Sequence, residues 1–352
     1  MRRLPIYFVL DVSESMAGDN IRQLNQGLES LVKTLRTDPH ALETVFLSVI
    51  VFAGKTRTLT PLVELSSFYP PRLPLGSGTS LGLALEHLMS EIDRTVIKTT
   101  ADQKGDWRPV VYLLTDGKPT DQADAAIKKW KEKYSSRASM VAIGIGKFAS
   151  LGILKKLTDD SFILSATSEA EFKKFIDWVS MSMSAQSRSV SAGPAKKISL
   201  AKLDDSIMKK VEEISRAAQV DEDFVILTGK CQTTKLPYIM RYERIEMPEV
   251  ATADFKTRVD LYNLNGVFPL EADYFELSDE RAMAQSVNSN SLIGTPGCPH
   301  CGNPIGFAVC SCGHLMCLRG PGEATCPWCN EKSNYSMSGP DDPGMDVTRS
   351  RG

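Results

Sequence analysis

The chain has 352 residues, 42% of them hydrophobic and 24% charged, with a formal net charge of −2. That is the make-up of an ordinary globular protein of two or three domains, and so balanced a charge gives no electrostatic case for nucleic acid or an anionic membrane as partner. Met1-Arg2-Arg3-Leu4-Pro5 leads straight into a strand-like run with no signal-peptide core, and every apolar run is far shorter than a bilayer span, so a cytoplasmic location is expected.

Ile6 to Leu10 is a continuous apolar run, the pattern of a strand covered on both faces. Ile21, Leu24, Leu28, Leu31, Val32 and Leu35 then recur at helical spacing. Val45 to Phe52 reads as a second core strand, with Thr56 to Leu65 as its antiparallel hairpin partner at an edge. Leu81, Leu85, Leu88 and Ile92 mark the next helix, and Val110 to Leu114 the next buried strand. A helix carrying Ile127, Trp130 and Tyr134 follows, then strands at Met140–Ile145 and Phe162–Leu164. The last helix of the series is expected to start at Ser168, which has capping-box spacing to Glu171, and to bury Phe172, Phe175, Ile176 and Val179. Alternation of this kind predicts an α/β domain with a doubly wound, mostly parallel sheet over residues 1–185.

Serine, alanine, glycine and proline dominate Gln186 to Lys197, so residues 186–200 read as a linker. Residues 201–290 read as a connecting α+β region that is expected to be part of the C-terminal domain: a helix over Leu203–Ala218, strands at Phe224–Leu227 and Leu236–Tyr242, and no catalytic constellation. A polar connector is expected at Ser286–Thr295, a small cysteine-rich module at 291–332, and a disordered tail at 333–352.

Three short stretches stand where buried strands end or a helix begins, which is where open α/β sheets bind ligands. They are Asp11-Val12-Ser13-Glu14-Ser15, Gly76-Ser77-Gly78-Thr79-Ser80 and Thr115-Asp116-Gly117. Mg²⁺ prefers six oxygens and retains waters. The first stretch can turn one carboxylate and two hydroxyls to a single point, Thr79 can add a hydroxyl, and Asp116 can bind directly or through water. A position remains for water or for the carboxylate of another protein. Glu14 and Lys118, beside these residues, read as solvated loop positions. A phosphoryl-transfer enzyme is the alternative, but Ser13 stands where an aspartyl-nucleophile motif needs its second carboxylate, there is no Walker loop, and His40 and His87 sit in no motif for a general base.

Asp11, Ser13, Ser15, Thr79 and Asp116 resemble the metal-ion-dependent adhesion site of von Willebrand factor A domains, and match it at all of its positions. The resemblance covers Pro5 to about Ala185 and implies Mg²⁺ or Mn²⁺ bridging to an Asp or Glu of a partner protein.

Seven of the eight cysteines lie between Cys298 and Cys329, as Cys298-x-x-Cys301, Cys310-x-Cys312, His314-x-x-Cys317 and Cys326-x-x-Cys329. Seven thiols and one imidazole would complete two tetrahedral Zn²⁺ sites of the closed, structural kind. Cys298, Cys301, His314 and Cys317 could share one ion in a cross-brace, in an order similar to a RING finger, or Cys298, Cys301, Cys310 and Cys312 could do so sequentially. His300 is a spare candidate expected to face solvent, and Cys231 reads as an isolated buried thiol. A RING-like role in protein modification is thus a further reading. Nucleic-acid binding is disfavoured, because Arg319 and Lys332 are the only basic residues from Pro296 to Lys332.

The two ends together resemble the TerY family of bacterial tellurium-resistance and stress-response gene clusters. That resemblance implies a C-terminal metal-binding domain that includes Thr228-Gly-Lys-Cys-Gln232, with a protein kinase and a 2C-type protein phosphatase as associated partners. The combined expectation is a non-enzymatic adaptor that binds partner proteins.

Overall fold

The computed structural model describes residues 2–116, 118–145, 151–164, 169–192, 200–201, 208–210, 224–245, 260–278, 285–336 and 344–349. They fall into two compact units, residues 1–219 and 220–352. Ser168, Gly117 and most of the helix expected at Leu203–Ala218 lie outside the described residues.

The first unit alternates as its apolar pattern predicts. Strands β1 (Leu4–Asp11), β2 (Val45–Phe52), β3 (Thr56–Glu64), β4 (Val110–Thr115), β5 (Ser139–Ile145), β6 (Ser161–Leu164) and β7 (Met208–Lys210) form one sheet in the order β3-β2-β1-β4-β5-β6-β7. β1 pairs in parallel with both β2 and β4, and β4, β5 and β6 continue in parallel. Only β3 and β7, at the two edges, run antiparallel to their neighbours. β1, β2 and β4 are buried almost throughout because helices cover both faces of a doubly wound sheet. The strand order reverses at β1, so a crevice opens beyond the C-terminal ends of β1 and β4.

The helices are α1 (Asp19–Leu35), α2 (Pro39–Thr44), α3 (Leu81–Thr95), α4 (Asp124–Lys129), α5 (Leu151–Leu157) and α6 (Glu169–Ala192). α2 starts where Asp38 accepts the amide of His40 and Pro39 supplies a preset φ at the first turn. α3 and α4 pack on the sheet face carrying Tyr7, Val9, Ile50, Phe52, Val111 and Leu113. α4 runs into a single π turn at Trp130–Tyr134, which stacks the two rings with centroids 6.0 Å apart.

α6 reaches Ala192, so Gln186–Ala192 are helix where composition predicted linker. Ser187 in that segment is buried and shares a 2.7 Å hydrogen bond with Thr44 of α2, and earlier in the helix Ser180 donates to the Ile176 carbonyl. Met208–Lys210, expected as helix, instead pair as β7 with β6. A free sheet edge is satisfied by a strand whatever the local propensity prefers.

In the second unit β8 (Phe224–Lys230), β9 (Pro237–Arg244) and β10 (Tyr262–Pro269) form an antiparallel meander. The short helix α7 spans Tyr274–Leu277. Strands from the cysteine-rich stretch complete the same sheet: β12 (Leu292–Ile293) joins β10, β14 (Leu315–Leu318) runs parallel to β8, and β13 (Ile305–Val309) pairs with β14. β11 (Gln285–Asn288) pairs with β17 (Asp346–Arg349), and β15 (Gly322–Thr325) with β16 (Lys332–Tyr335). The expected polar connector and disordered tail therefore both contain strands, with Val347 buried in the core beside Val225 and Tyr242. Among the described residues no helix is long and apolar enough to cross a membrane.

Gly27 lets α1 and α6 approach closely, since a Cβ there would sit 2.7 Å from Ile176 Cδ1 and 3.0 Å from Phe172 Cε1. Gly27→Leu should destabilise the first unit by about 1–3 kcal/mol through overpacking, read as a lower midpoint in thermal unfolding. An unchanged midpoint would mean that the two helices do not pack as described.

Candidate metal centres

Asp11 is the last residue of β1 and is fully buried. Its Oδ1 accepts the Ser13 amide at 2.9 Å and its Oδ2 accepts the Thr115 hydroxyl at 2.5 Å. The Ser15 hydroxyl donates to Asp116 Oδ1 at 2.8 Å, and Ser13 and Ser15 share a hydrogen bond of 2.9 Å between their hydroxyls. Asp11, Ser13, Ser15 and Asp116 thus lie on one hydrogen-bonded path across the ends of β1 and β4.

Backbone contacts hold the path in place. Val12 donates to the Phe52 carbonyl, and a parallel bridge joins Ser13 to Gly76, whose amide donates to the Val12 carbonyl at 2.9 Å. Glu14–Met16 form a 3-10 turn that points Ser15 back toward β4. Gly78 takes φ +90 where its backbone passes Gly54, and a Cβ there would lie 3.3 Å from Gly54 Cα. Thr79 is buried at the entry to α3 and is tied to the third loop through its backbone.

Burial pushes the Asp11 carboxyl up to about 6, against the opposing effect of its hydrogen bonds from Ser13 and Thr115. A carboxylate in that position gains most from a cation. Glu14, read as solvated from the sequence, is fully buried, and its Oε2 accepts the Ser77 hydroxyl at 3.2 Å. The difference arises because the 3-10 turn folds Glu14 under the second loop. Lys118 is half-buried.

The second unit gathers its cysteines into two groups, Cys231, Cys298, Cys301 and Cys317, and Cys310, Cys312, Cys326 and Cys329, with the sulfurs of each within 4.8 Å of one another. Individual separations are 3.7 Å for Cys301–Cys317, 3.7 Å for Cys310–Cys329 and 3.8 Å for Cys312–Cys326. A tetrahedral ion with metal–sulfur bonds of about 2.3 Å has edges of about 3.8 Å, so both groups could chelate a metal ion.

The same turn recurs at the cysteines. In three places the amide four residues after a cysteine donates back to its carbonyl, from Lys235 to Cys231, Gly302 to Cys298 and Asn330 to Cys326. Each donor residue has positive φ, +63, +72 and +61. Gly313, at φ +82, closes a turn one residue shorter on Cys310. Backbone amides reach the sulfurs, from Gln232 to Cys317 at 3.2 Å, Thr234 to Cys231 at 3.4 Å and Trp328 to Cys326 at 3.4 Å. Such contacts stabilise thiolates as ligands.

Burial opposes the Cys231 and Cys310 thiolates, yet hydrogen bonding brings both down to about 6. In the same clusters burial and neighbouring thiols push Cys317 up, and Cys312 up to about 12. Thiols so crowded cannot all ionise without a cation between them.

Cys231 occupies the position expected of His314, which belongs to neither group. The His314 ring is exposed and stacks on Trp328 with centroids 4.6 Å apart, while its Nδ1 lies 3.2 Å from the Cys312 carbonyl. Trp328 is itself anchored through its indole N–H to the Leu315 carbonyl, so the stack holds the imidazole away from the sulfurs. His300, expected to face solvent, donates from Nε2 to the Pro237 carbonyl at 2.8 Å. Cys231 lacks a second cysteine at knuckle spacing, having Gln232-Thr233-Thr234 after it, so only its inclusion in Thr228-Gly-Lys-Cys-Gln232 hinted at a ligand. The grouping otherwise follows the cross-brace and not the sequential alternative.

A family model for the von Willebrand factor type A domain matches residues 6–178, and one for the TerY-C metal binding domain matches residues 221–352. Among solved structures, proximal thread matrix protein 1 from the mussel byssus is 18% identical over 52% of this chain and 48% of its own, with a TM-score of 0.38. The pilus adhesin SpaC of Lactobacillus rhamnosus GG is 14% identical over 53% of this chain and 31% of its own, TM-score 0.41. The ArnB paralog VWA2 of Sulfolobus acidocaldarius is 11% identical over 100% of this chain and 66% of its own, TM-score 0.37. The chain thus spans about half the length of the mussel protein and about a third of the adhesin.

Elemental analysis should find that Cys231→Ser loses the metal of its cluster whereas His314→Ala keeps the wild-type content; the reverse would restore the imidazole as a ligand. The two clusters also differ in access. Cys312 and Cys329 are exposed, whereas Cys231, Cys298 and Cys317 are buried. Limited alkylation followed by peptide mass mapping should therefore modify Cys312 and Cys329 first. First modification at Cys231 or Cys317 would contradict the burial described.

Proposed function

We propose that this chain, which joins a von Willebrand factor type A domain to a TerY-C metal binding domain as TerY-like proteins do, is an adaptor that holds a partner protein through a divalent cation. Both domain types are non-catalytic adaptor and metal-binding modules, and the chain is not an enzyme. The observation that carries the reading is the convergence of Asp11, Ser13, Ser15 and Asp116 in the crevice at the strand-order reversal, around a carboxylate whose burial leaves it in need of positive charge.

The donors suit a hard cation. Two carboxylates and neutral hydroxyls match the oxygen preference of Mg²⁺ or Mn²⁺ and are a poor set for soft metals. Asp11, Ser13, Ser15, Thr79 and Asp116 would hold the ion, and the ion would supply a Lewis-acidic point for an Asp or Glu carboxylate of the partner. Ser13 and Ser15 would redirect their hydroxyl protons once lone pairs face the metal, and Thr115 would keep Asp11 oriented from the side. The two cysteine clusters would each hold Zn²⁺, a soft-ligand site closed by four thiolates, which would act by stabilising the second unit and not by reacting.

Two docking surfaces on one chain would raise the effective concentration of one bound protein near another. The resemblance to the TerY family suggests a bacterial stress-response setting of the tellurium-resistance type, in the cytoplasm, with a protein kinase and a 2C-type protein phosphatase as the first partners to seek.

The test is affinity capture from the native host in Mg²⁺ buffer, comparing wild type with Thr79→Ala and identifying retained proteins by mass spectrometry. Chelators are avoided because they would also strip the thiolate sites. Retention by wild type alone supports the cation bridge, and identical retention by both would remove the first site as the point of docking.

A further inference from the structure

The second and third loops of the first unit are joined by contacts that none of the five candidate ligands makes through its side chain. The Thr79 amide donates to Thr120 Oγ1 at 2.9 Å, and the Thr120 amide donates back to the Thr79 carbonyl at 2.8 Å. Next along the chain, the Asp121 carboxylate accepts the Gly82 amide on Oδ1 and the Leu83 amide on Oδ2, both at 3.1 Å. α3 therefore receives its N-terminal cap from another loop. Its own N-cap residue, Ser80, makes no side-chain cap, because that hydroxyl donates to the Gly54 carbonyl at 3.1 Å.

The fit is close enough to require glycine on the helix side. A Cβ on Gly82 would lie 2.8 Å from Asp121 Oδ2 and 3.1 Å from Ala123 Cα, and one on Gly78 would lie 3.5 Å from Thr120 Oγ1. The segment from Thr120 to Ala123 is thus seated on the first turn of α3. It begins only four positions after Asp116.

From this we infer that Thr120 and Asp121 are positioning residues for the cation site. They fasten Thr79 to the loop that carries Asp116, so that the ligands from the second and third loops form one prearranged half, facing Asp11, Ser13 and Ser15 on β1. The Ser15–Asp116 hydrogen bond joins the halves, together with the Thr115–Asp11 hydrogen bond and the Ser13–Gly76 bridge. Neither Thr120 nor Asp121 touches the ion; each acts by removing a freedom that the ion would otherwise have to freeze on binding. The inference rests on the cation-site reading given above.

The experiment is Mn²⁺ titration by calorimetry on the full-length, zinc-loaded protein, with wild type, Thr120→Val, Thr120→Ser, Asp121→Asn and Gly27→Leu compared. Thr120→Val deletes the acceptor of the Thr79 amide at nearly constant volume, and Asp121→Asn replaces one acceptor with a donor facing an amide. Loss of an outer-shell partner of this kind should weaken Mn²⁺ about tenfold or more in both, with Thr120→Ser close to wild type. Gly27→Leu, destabilised elsewhere, should keep wild-type affinity, which separates positioning from general loss of stability. Should Thr120→Val not fold, Asp121→Asn carries the comparison. Wild-type affinity in Thr120→Val or Asp121→Asn overturns this inference while leaving the cation site intact. Absence of Mn²⁺ binding by wild type overturns both.

Discussion

The first unit is organised around the cost of burying one carboxylate. Asp11 sits at the end of the central strand, with none of its surface exposed, where a charged group loses several kcal/mol of hydration unless something replaces it. Hydrogen bonds from the Ser13 amide and the Thr115 hydroxyl replace part of that hydration. Meeting the rest explains why three loops distant in sequence converge there. The 3-10 turn brings Ser15 to Asp116, the bridge at Gly76 brings the second loop against the first, and Thr120 ties the second loop to the third. The parallel sheet makes this convergence possible, since only at the reversal of strand order do loops after β1 and β4 open onto a shared crevice.

A parallel logic governs the second unit with sulfur in place of oxygen. Two groups of thiols stand closer than charged neighbours tolerate, and the turns that deliver them are built from backbone hydrogen bonds and left-handed residues. Cys231 directly follows β8 and Cys317 lies in β14, the strand paired beside it, so one cluster stitches the meander to the cysteine-rich stretch. The connecting region and the cysteine-rich stretch therefore share one sheet and one core. In the second cluster two of the four cysteines, Cys312 and Cys329, are exposed residues.

Legibility followed the physics of each element. Strands buried on both faces, such as Val45–Phe52 and Val110–Thr115, announce themselves as nearly continuous apolar runs, and the α/β alternation follows from them. The loop motifs were readable because their residue types recur at fixed places relative to strand ends. Composition misled where chemistry depends on neighbours. Gln186–Ala192 resembles a linker until Ser187 is seen to bond Thr44 of α2. The 346–349 segment resembles a tail until β11 is seen to pair with it. Cys231 lacked the second thiol that makes a knuckle recognisable, and His314 had ligand spacing but a tryptophan face to rest on. The Thr120–Asp121 clamp left no sequence signal of its own, because it consists mostly of backbone amides meeting ordinary loop side chains.

The most direct test of the cation site is anomalous diffraction from crystals of the full chain grown in MnCl₂, with data collected at the manganese and zinc edges. The account predicts a manganese peak among Asp11, Ser13, Ser15, Thr79 and Asp116, and zinc peaks inside the two cysteine groups with no contact to His314. An ordered crevice with no manganese peak at saturating metal would contradict its central claim.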